Sequence, residues 1–375
     1  MTEKIAIIGA GNAGCISALN LHYLKMAEEY EMGEIEIYYD PSVPIERVGQ
    51  GTQINVRETI FDVLDLDWVE NNHIKATTKQ GIRYKGWGQK NHDFFHSFRS
   101  GTVAMHYVPK LFSECVLKSG LFKVVEKTIT NPEEEIDASY IIDCRGRPTE
   151  LDDSYKRLTN PVNSVILATK EEADPNLLWT EHITTPNGWA FVIPNHDSVS
   201  YGYLYNDTIT TKEEAEKDFI ERFNVEPNGY LSFDNYIAKS MWRGERTILN
   251  GNSYSFIEPM EAVASVVHHN VSESLYDVMI GEKSKEHVNE ILYTDMHRVQ
   301  DFILWHYKNG SMYDTPFWQY AQTLSYTNEM ELLEHIDKCS MLPKLFDFEG
   351  IRDTVEYAYW EPSSYNCWTN NVGKV

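Results

Sequence analysis

Two hydrophobic rhythms divide the chain. Residues 4–8 (Lys-Ile-Ala-Ile-Ile) form a short β-branched run that stops at a cluster of glycines. A helical pattern through Leu19, Leu21 and Leu24 follows, and then a second strand-like run, Ile-Glu-Ile-Tyr-Tyr-Asp, ends at Asp40. That order predicts a β-α-β unit. Further strands are predicted at Phe122–Val125 and Tyr140–Asp143, and a denser set at Ser164–Thr169, Trp189–Ile193 and Val199–Tyr205 predicts a β-rich module. From Glu261 onward the apolar spacing changes to three and four, which predicts helices over Ala262–Ile280, Lys285–Lys308 and Phe317–Asp337.

The glycines after the first strand carry chemistry. Gly9, Gly11 and Gly14 make G-x-G-x-x-G between a predicted strand and a predicted helix, with Ala13 inside the motif. Such glycines permit a tight turn, a close approach of backbone to a pyrophosphate, and tight helix-strand packing, while the helix N-terminus favours phosphate charge. Asp40, at the end of the second strand, stands where a ribose-binding carboxylate belongs. The interval to Asp40 exceeds the usual spacing of about 20 residues, so an extension of the first helix is expected near Glu28–Gly33. The motif points to a dinucleotide and leaves FAD and NAD both open.

At 375 residues the chain has room for roughly two to three domains at about 150 residues each. A formal net charge of −24 excludes nucleic acid and anionic lipid as main partners. Five scattered cysteines without C-x-x-C spacing argue against a disulfide framework and a zinc site. His92 and His96 are four apart but lack the glutamate of the zincin motif, and adjacent His268 and His269 would point apart on a helix, so no metal site is expected. Without a signal peptide or an 18-residue apolar run, a cytoplasmic, non-membrane protein is expected.

Several segments together resemble the flavin-dependent halogenases, most closely the tryptophan-halogenase-like branch. Trp189-Ala-Phe-Val-Ile-Pro194 is similar to a W-x-W-x-I-P motif, with Phe191 in place of the second tryptophan. Thr78-Lys79-Gln80-Gly81-Ile82 resembles the segment bearing that family's active-site lysine. The run from Gly251 through Phe256 and Pro259-Met260 to Glu261 resembles its flavin and halide segment. His306-Tyr307 and Asp314-Thr315-Pro316-Phe317-Trp318 resemble a C-terminal hallmark. Tyr140–Gly146, with Asp143 and Gly146, resembles the second dinucleotide-contacting segment of flavoprotein hydroxylases; read alone it is equally well another parallel strand.

The resemblance implies an α/β fold with an α+β insert: a Rossmann-like FAD-binding fold of the p-hydroxybenzoate hydroxylase type, with an inserted β-sheet module and a helical C-terminal substrate region. The boundaries expected are 1–160 with 245–280 for FAD, 161–244 for the β-rich module and 281–375 for the substrate side. It also implies FAD reduced by a separate flavin reductase, oxygen and a halide ion, with hypohalous acid channelled to Lys79 for electrophilic attack on a small electron-rich aromatic such as an indole or phenol. Lys79 and Glu261 become the catalytic pair, with Glu261 polarising the electrophile or accepting the ring proton. Gly9, Gly11, Ala13, Gly14, Asp40, Asp143, Gly146, Gly251 and Phe256 become cofactor residues. Trp189, Phe191, Ile193, Pro194, Phe317 and Trp318 become tunnel or substrate walls.

Each role has a plainer counterpart. Most lysines are solvated, a first-turn glutamate is favoured by the helix dipole, and alternating aromatics on a strand are a core face. The chain also departs from the family at Ala262-Val263-Ala264, where Ser-Thr-Gly is usual. The halide site at Val263 and Ala264 therefore lacks a hydroxyl and a flexible amide, which predicts a shift toward bromide or iodide. Two other classes stay open: an aromatic monooxygenase that inserts oxygen without halide, and a non-catalytic flavin-binding protein. Homo-oligomerisation also stays open.

Overall fold

The computed structural model describes residues 3–27, 30–46, 48–98, 101–341 and 358–372. The chain divides into two compact units, Met1–Thr78, Ala104–Arg157 and Tyr236–Tyr293 in the first and Lys79–Val103, Leu158–Asn235 and Thr294–Val375 in the second.

The first unit is built on the predicted β-α-β. Ile5–Ile8 pairs in parallel with Ile35–Tyr39 on one side and Tyr140–Asp143 on the other. Lys123–Glu126 and Thr247–Leu249 extend this parallel sheet, and Trp242–Arg243 closes it as an antiparallel edge. All four residues of Ile5–Ile8 are buried, as a central parallel strand covered on both faces requires. The helix Asn12–Ala27 buries every residue from Ala13 to Leu21, because it also packs against the helix Ala264–Met279. There the Asn20 amide donates to the Ser272 hydroxyl at 3.0 Å and to the His269 carbonyl at 3.3 Å.

The expected extension of the first helix is not helical where it is described. The helix ends at Ala27, Glu28 and Glu29 lie outside the described residues, and residues 30–34 form an irregular link. Gly33 is pinned in that link by its N–H bond to the Glu3 carbonyl at 3.0 Å. The Glu34 carbonyl accepts from the Ile5 N–H of the neighbouring strand at 3.0 Å, so the end of this link is bonded to the sheet and not in a helical repeat.

The second unit is organised by a seven-stranded sheet in the order Gly229–Ser232, Ser164–Lys170, Val199–Tyr205, Gly188–Pro194, Thr180–Thr185, Gly81–Lys85 and Asp93–Ser97. Its pairs are antiparallel except Thr180–Thr185 with Gly81–Lys85. The helix Lys212–Phe223, opened by a capping box of Thr211 and Glu214, covers Ile166, Ala168, Ala190 and Tyr203 with Ala215 and Phe219. The single helix expected over Phe317–Asp337 is two, Pro316–Gln322 and Glu329–Met341. The buried Asp301 carboxylate stops the chain between them by accepting the Thr327 and Asn328 N–H groups at 2.6 and 2.7 Å.

Candidate functional site

The glycine turn is the best-defined constellation of the first unit. Gly9 has φ of +108°, and a Cβ there would lie 2.5 Å from the Cys144 carbonyl oxygen. A Cβ on Gly14 would lie 1.9 Å from the Gly9 carbonyl oxygen, so the helix can sit on the turn only without a side chain. Gly11 differs from both, because a Cβ there would meet nothing within 4 Å. Its backbone is the open part of the turn, and the first turn of the following helix carries no acidic residue. A helix N-terminus with no acidic residue in its own first turn, beside an uncrowded glycine, fits a phosphate-bearing dinucleotide.

A second segment is brought to the same place. Gly251 has φ of +65°, and a Cβ on it would stand 2.6 Å from the Ala13 Cβ and 3.8 Å from His268 Cε1. Asn250, fully buried, fixes that turn: its side-chain amide donates to Ser17 Oγ at 2.8 Å and the His268 carbonyl at 2.9 Å, while its Oδ1 accepts from the Gly251 N–H at 2.6 Å. The Asn250 N–H donates to the Asp143 carbonyl at 3.0 Å. Gly9, Ala13, Gly14, Asp143 and Gly251 thus form one neighbourhood. Sequence reading missed Asn250, although Asn-Gly is itself a turn signal.

The two carboxylates expected near the cofactor are engaged within the protein. Asp143 is bound by the Arg145 guanidinium at 2.9 and 2.7 Å. Asp40 closes a local turn, accepting from the Ser42 N–H at 2.8 Å and the Ser42 and Thr128 hydroxyls at 2.6 and 2.5 Å. The bonds from Ser42, then Thr128, lower its pKa below the ordinary carboxylate value. Gly146 has φ of +96° just beyond Arg145. Phe256 lies on the short strand paired with Tyr236–Ala238, its ring stacked on Tyr236.

Glu261 is buried, at 3 % exposure, and its carbonyl accepts from the Gln53 amide at 3.4 Å. It stands in a turn three residues before the helix Ala264–Met279, not in the helix's first turn. The next residue, Ala262, has φ of +52°, a left-handed conformation that costs a non-glycine residue about 1 kcal/mol. Val263 is the N-cap and supplies no side-chain cap; Ala264, the first helical residue, is exposed.

In the second unit Lys79 is 1 % exposed, with its Nζ 5.6 Å from the centroid of the Phe98 ring. It is not the solvated lysine of the plainer reading. Trp189, Phe191 and Pro194 are buried and Ile193 is half-buried on one strand. Trp189 Nε1 donates to the Tyr307 hydroxyl at 2.7 Å, and Phe191 fills the space over Gly202, where a Cβ would meet its ring at 2.1 Å. Trp318 Nε1 donates to the Thr185 carbonyl at 2.8 Å. Phe317 and Trp318 are both 1 % exposed. Trp87, which sequence reading passed over, is a hub, in ring contact with Trp189, Tyr307, Trp318 and Trp368. Nothing in its local sequence distinguishes it from other tryptophans.

Comparison with known proteins sharpens this picture. The family model described as tryptophan halogenase matches residues 4–119 and 115–367. Tryptophan 7-halogenase RebH from Lentzea aerocolonigenes is 22 % identical over 489 aligned positions, covering 100 % of this chain and 90 % of that protein. Among solved structures, BrvH, a flavin-dependent halogenase from Brevundimonas sp. BAL3, is similar with a TM-score of 0.79 at 17 % identity, over 99 % of this chain and 90 % of that one. A tryptophan halogenase from Shewanella frigidimarina NCIMB 400 has a TM-score of 0.81 at 18 % identity, over 99 % and 89 %. The α/β class expected from the sequence is the class observed, and the fold is that of these structures.

Proposed function

The chain belongs to the tryptophan halogenase family, and on that premise we propose how its residues divide the work of flavin-dependent halogenation of an aromatic substrate. The open backbone at Gly11, between two glycines that cannot carry a Cβ, is the observation that most supports a bound dinucleotide. The first unit holds FAD: the amides at the start of the helix Asn12–Ala27 bind its phosphates, and Gly251 closes against Ala13 beside them. When bound in reduced form, the flavin supplies the electrons by which oxygen and halide yield an electrophilic halogen. A separate reductase replenishes it.

Lys79 hydrogen-bonds hypohalous acid, or carries the halogen as a haloamine, and presents it to the ring. Its burial supports the role, since a lysine held almost wholly out of water needs a reason to be there. Glu261, also buried, polarises the electrophile or accepts the proton released from the ring. Val263 and Ala264 face the halide with backbone amides alone. Bulk at Trp189 and Phe191 walls the substrate, which favours halogenation over direct oxygen insertion.

The purified chain should be incubated with FAD, a flavin reductase, NADH, oxygen and chloride, bromide or iodide, and a panel of indoles and phenols read by mass spectrometry. A halide-dependent mass shift is expected, larger with bromide or iodide than with chloride. It should vanish in Lys79→Ala while flavin oxidation continues. Retained halogenation by that variant would remove Lys79 from the mechanism, equal turnover with chloride would remove the halide preference, and a halide-independent oxygenated product would establish a monooxygenase instead.

A further inference from the structure

Besides His269 Nδ1, which faces a Glu273 carboxylate oxygen at 3.6 Å, the helix Ala264–Met279 holds two buried polar side-chain atoms with no hydrogen-bond partner, Ser265 Oγ and His268 Nδ1. Both residues are more than nine-tenths buried, with exposures of 6 % and 8 %. Buried polar atoms are nearly always satisfied, so two orphans in one place call for a ligand or a water. Their spacing, three apart on a helix, puts them on one face, one turn above the other. Helical side chains lean toward the N-terminus, so Ser265 is directed at the start of the helix, beside Val263 and Ala264.

The position of His268 is the second observation. Its Cε1 lies 3.8 Å from where a Cβ on Gly251 would stand, and that same point is 2.6 Å from the Ala13 Cβ in the first turn of the glycine-turn helix. Its backbone carbonyl is held by Asn250, the residue that fixes the Gly251 turn. The imidazole edge therefore borders the cradle formed by Ala13 and Gly251. Burial keeps the ring neutral, so it carries one N–H donor and one acceptor nitrogen.

We propose that Ser265 and His268 are side-chain contacts to the bound flavin nucleotide, whose phosphate and hydroxyl oxygens satisfy the two atoms that the protein leaves unpaired. This rests on the reading of the first unit as the flavin cradle. It adds to the backbone amides of the glycine turn a pair of side-chain contacts from a different helix.

The test is FAD affinity of the full-length, flavin-stripped chain, followed by quenching of flavin fluorescence and beside it the unfolding midpoint of the flavin-free protein. Ser265→Ala and His268→Leu are each expected to weaken FAD binding by about fivefold or more, as loss of one hydrogen bond does. The flavin-free midpoint should stay level or rise near pH 7.5, because an orphan polar atom is removed from the interior. His268→Gln, which keeps a donor and an acceptor, should recover part of the affinity and serves if the leucine variant does not fold. Unchanged FAD affinity in both variants, with a lowered flavin-free midpoint, would overturn the proposal in favour of a structural water between the two side chains. A wild-type chain that binds no FAD would overturn the cradle reading itself, a result separate from any variant.

Discussion

Adding one carbon to Gly11 or to Gly14 separates ligand approach from packing within a single turn. A methyl group on Gly14 would stand 1.9 Å from a backbone oxygen that cannot move aside. Gly14→Ala is therefore expected to lose more than about 3 kcal/mol of stability, seen as insoluble expression or a collapsed unfolding midpoint. Gly11→Ala meets no atom within 4 Å. It should keep its stability to within about 0.5 kcal/mol while FAD binding weakens by about tenfold or more, since the added methyl occupies the side from which pyrophosphate approaches. Equal FAD affinity in Gly11→Ala, measured by fluorescence titration, would contradict the placement of the phosphates. Gly14 was legible in the sequence because the helix can sit on the turn only where no Cβ meets the Gly9 carbonyl oxygen. Lys79 was legible only through its neighbours, and its burial belongs to the fold.

At the scale of elements, periodicity located strands and helices but not where the chain stops being helical. The break between Pro316–Gln322 and Glu329–Met341 depends on Asp301, whose carboxylate holds two loop N–H groups from a helix more than twenty residues away. Burial raises the pKa of that carboxyl, and the Thr327 and Asn328 N–H groups partly offset the effect. Asp301→Ala should cost about 2–4 kcal/mol by leaving two amides without an acceptor. Hydrogen exchange should quicken across residues 323–341 ahead of the rest of the second unit, and Asp301→Asn should lose less. Uniform exchange over the unit would show that the carboxylate does not hold this link. Likewise Glu261, expected in a helix's first turn, stands before it, because the left-handed Ala262 reverses the chain there.

For the whole molecule, pH exposes what burial has done to single groups. Burial brings His268 from its ordinary 6.5 to about 4. The unfolded chain thus binds the proton more readily, so this residue has no effect on stability above pH 6.5 and a destabilising one as pH falls from 6.5 toward 4. At pH 5 the loss is about 2 kcal/mol. Urea unfolding at pH 7.5 and pH 5 should show a smaller drop in His268→Leu than in wild type; an equal drop would mean that His268 titrates normally in the folded protein. His335, also lowered to about 4 by burial and then by Lys338 and Arg298, acts in the same window in both proteins and cancels in the difference. Glu36 acts at lower pH: burial alone would raise it, but bonds from Lys123, Tyr38 and Lys4 bring it to about 2, so its contribution is lost only below 4.5. Taken alone, the sequence determined the β-α-β start, the glycine turn, the β-rich middle, the helical end and the family, because periodicity and motif spacing are local along the chain. Only the tertiary structure decided that Lys79 is buried, that Asp40 and Asp143 are engaged within the protein, that Trp87 is an aromatic hub, and that Asn250 and His268 border the Gly251 turn. Those facts depend on contacts between residues far apart in the chain, and burial and hydrogen bonding exist only once such residues meet.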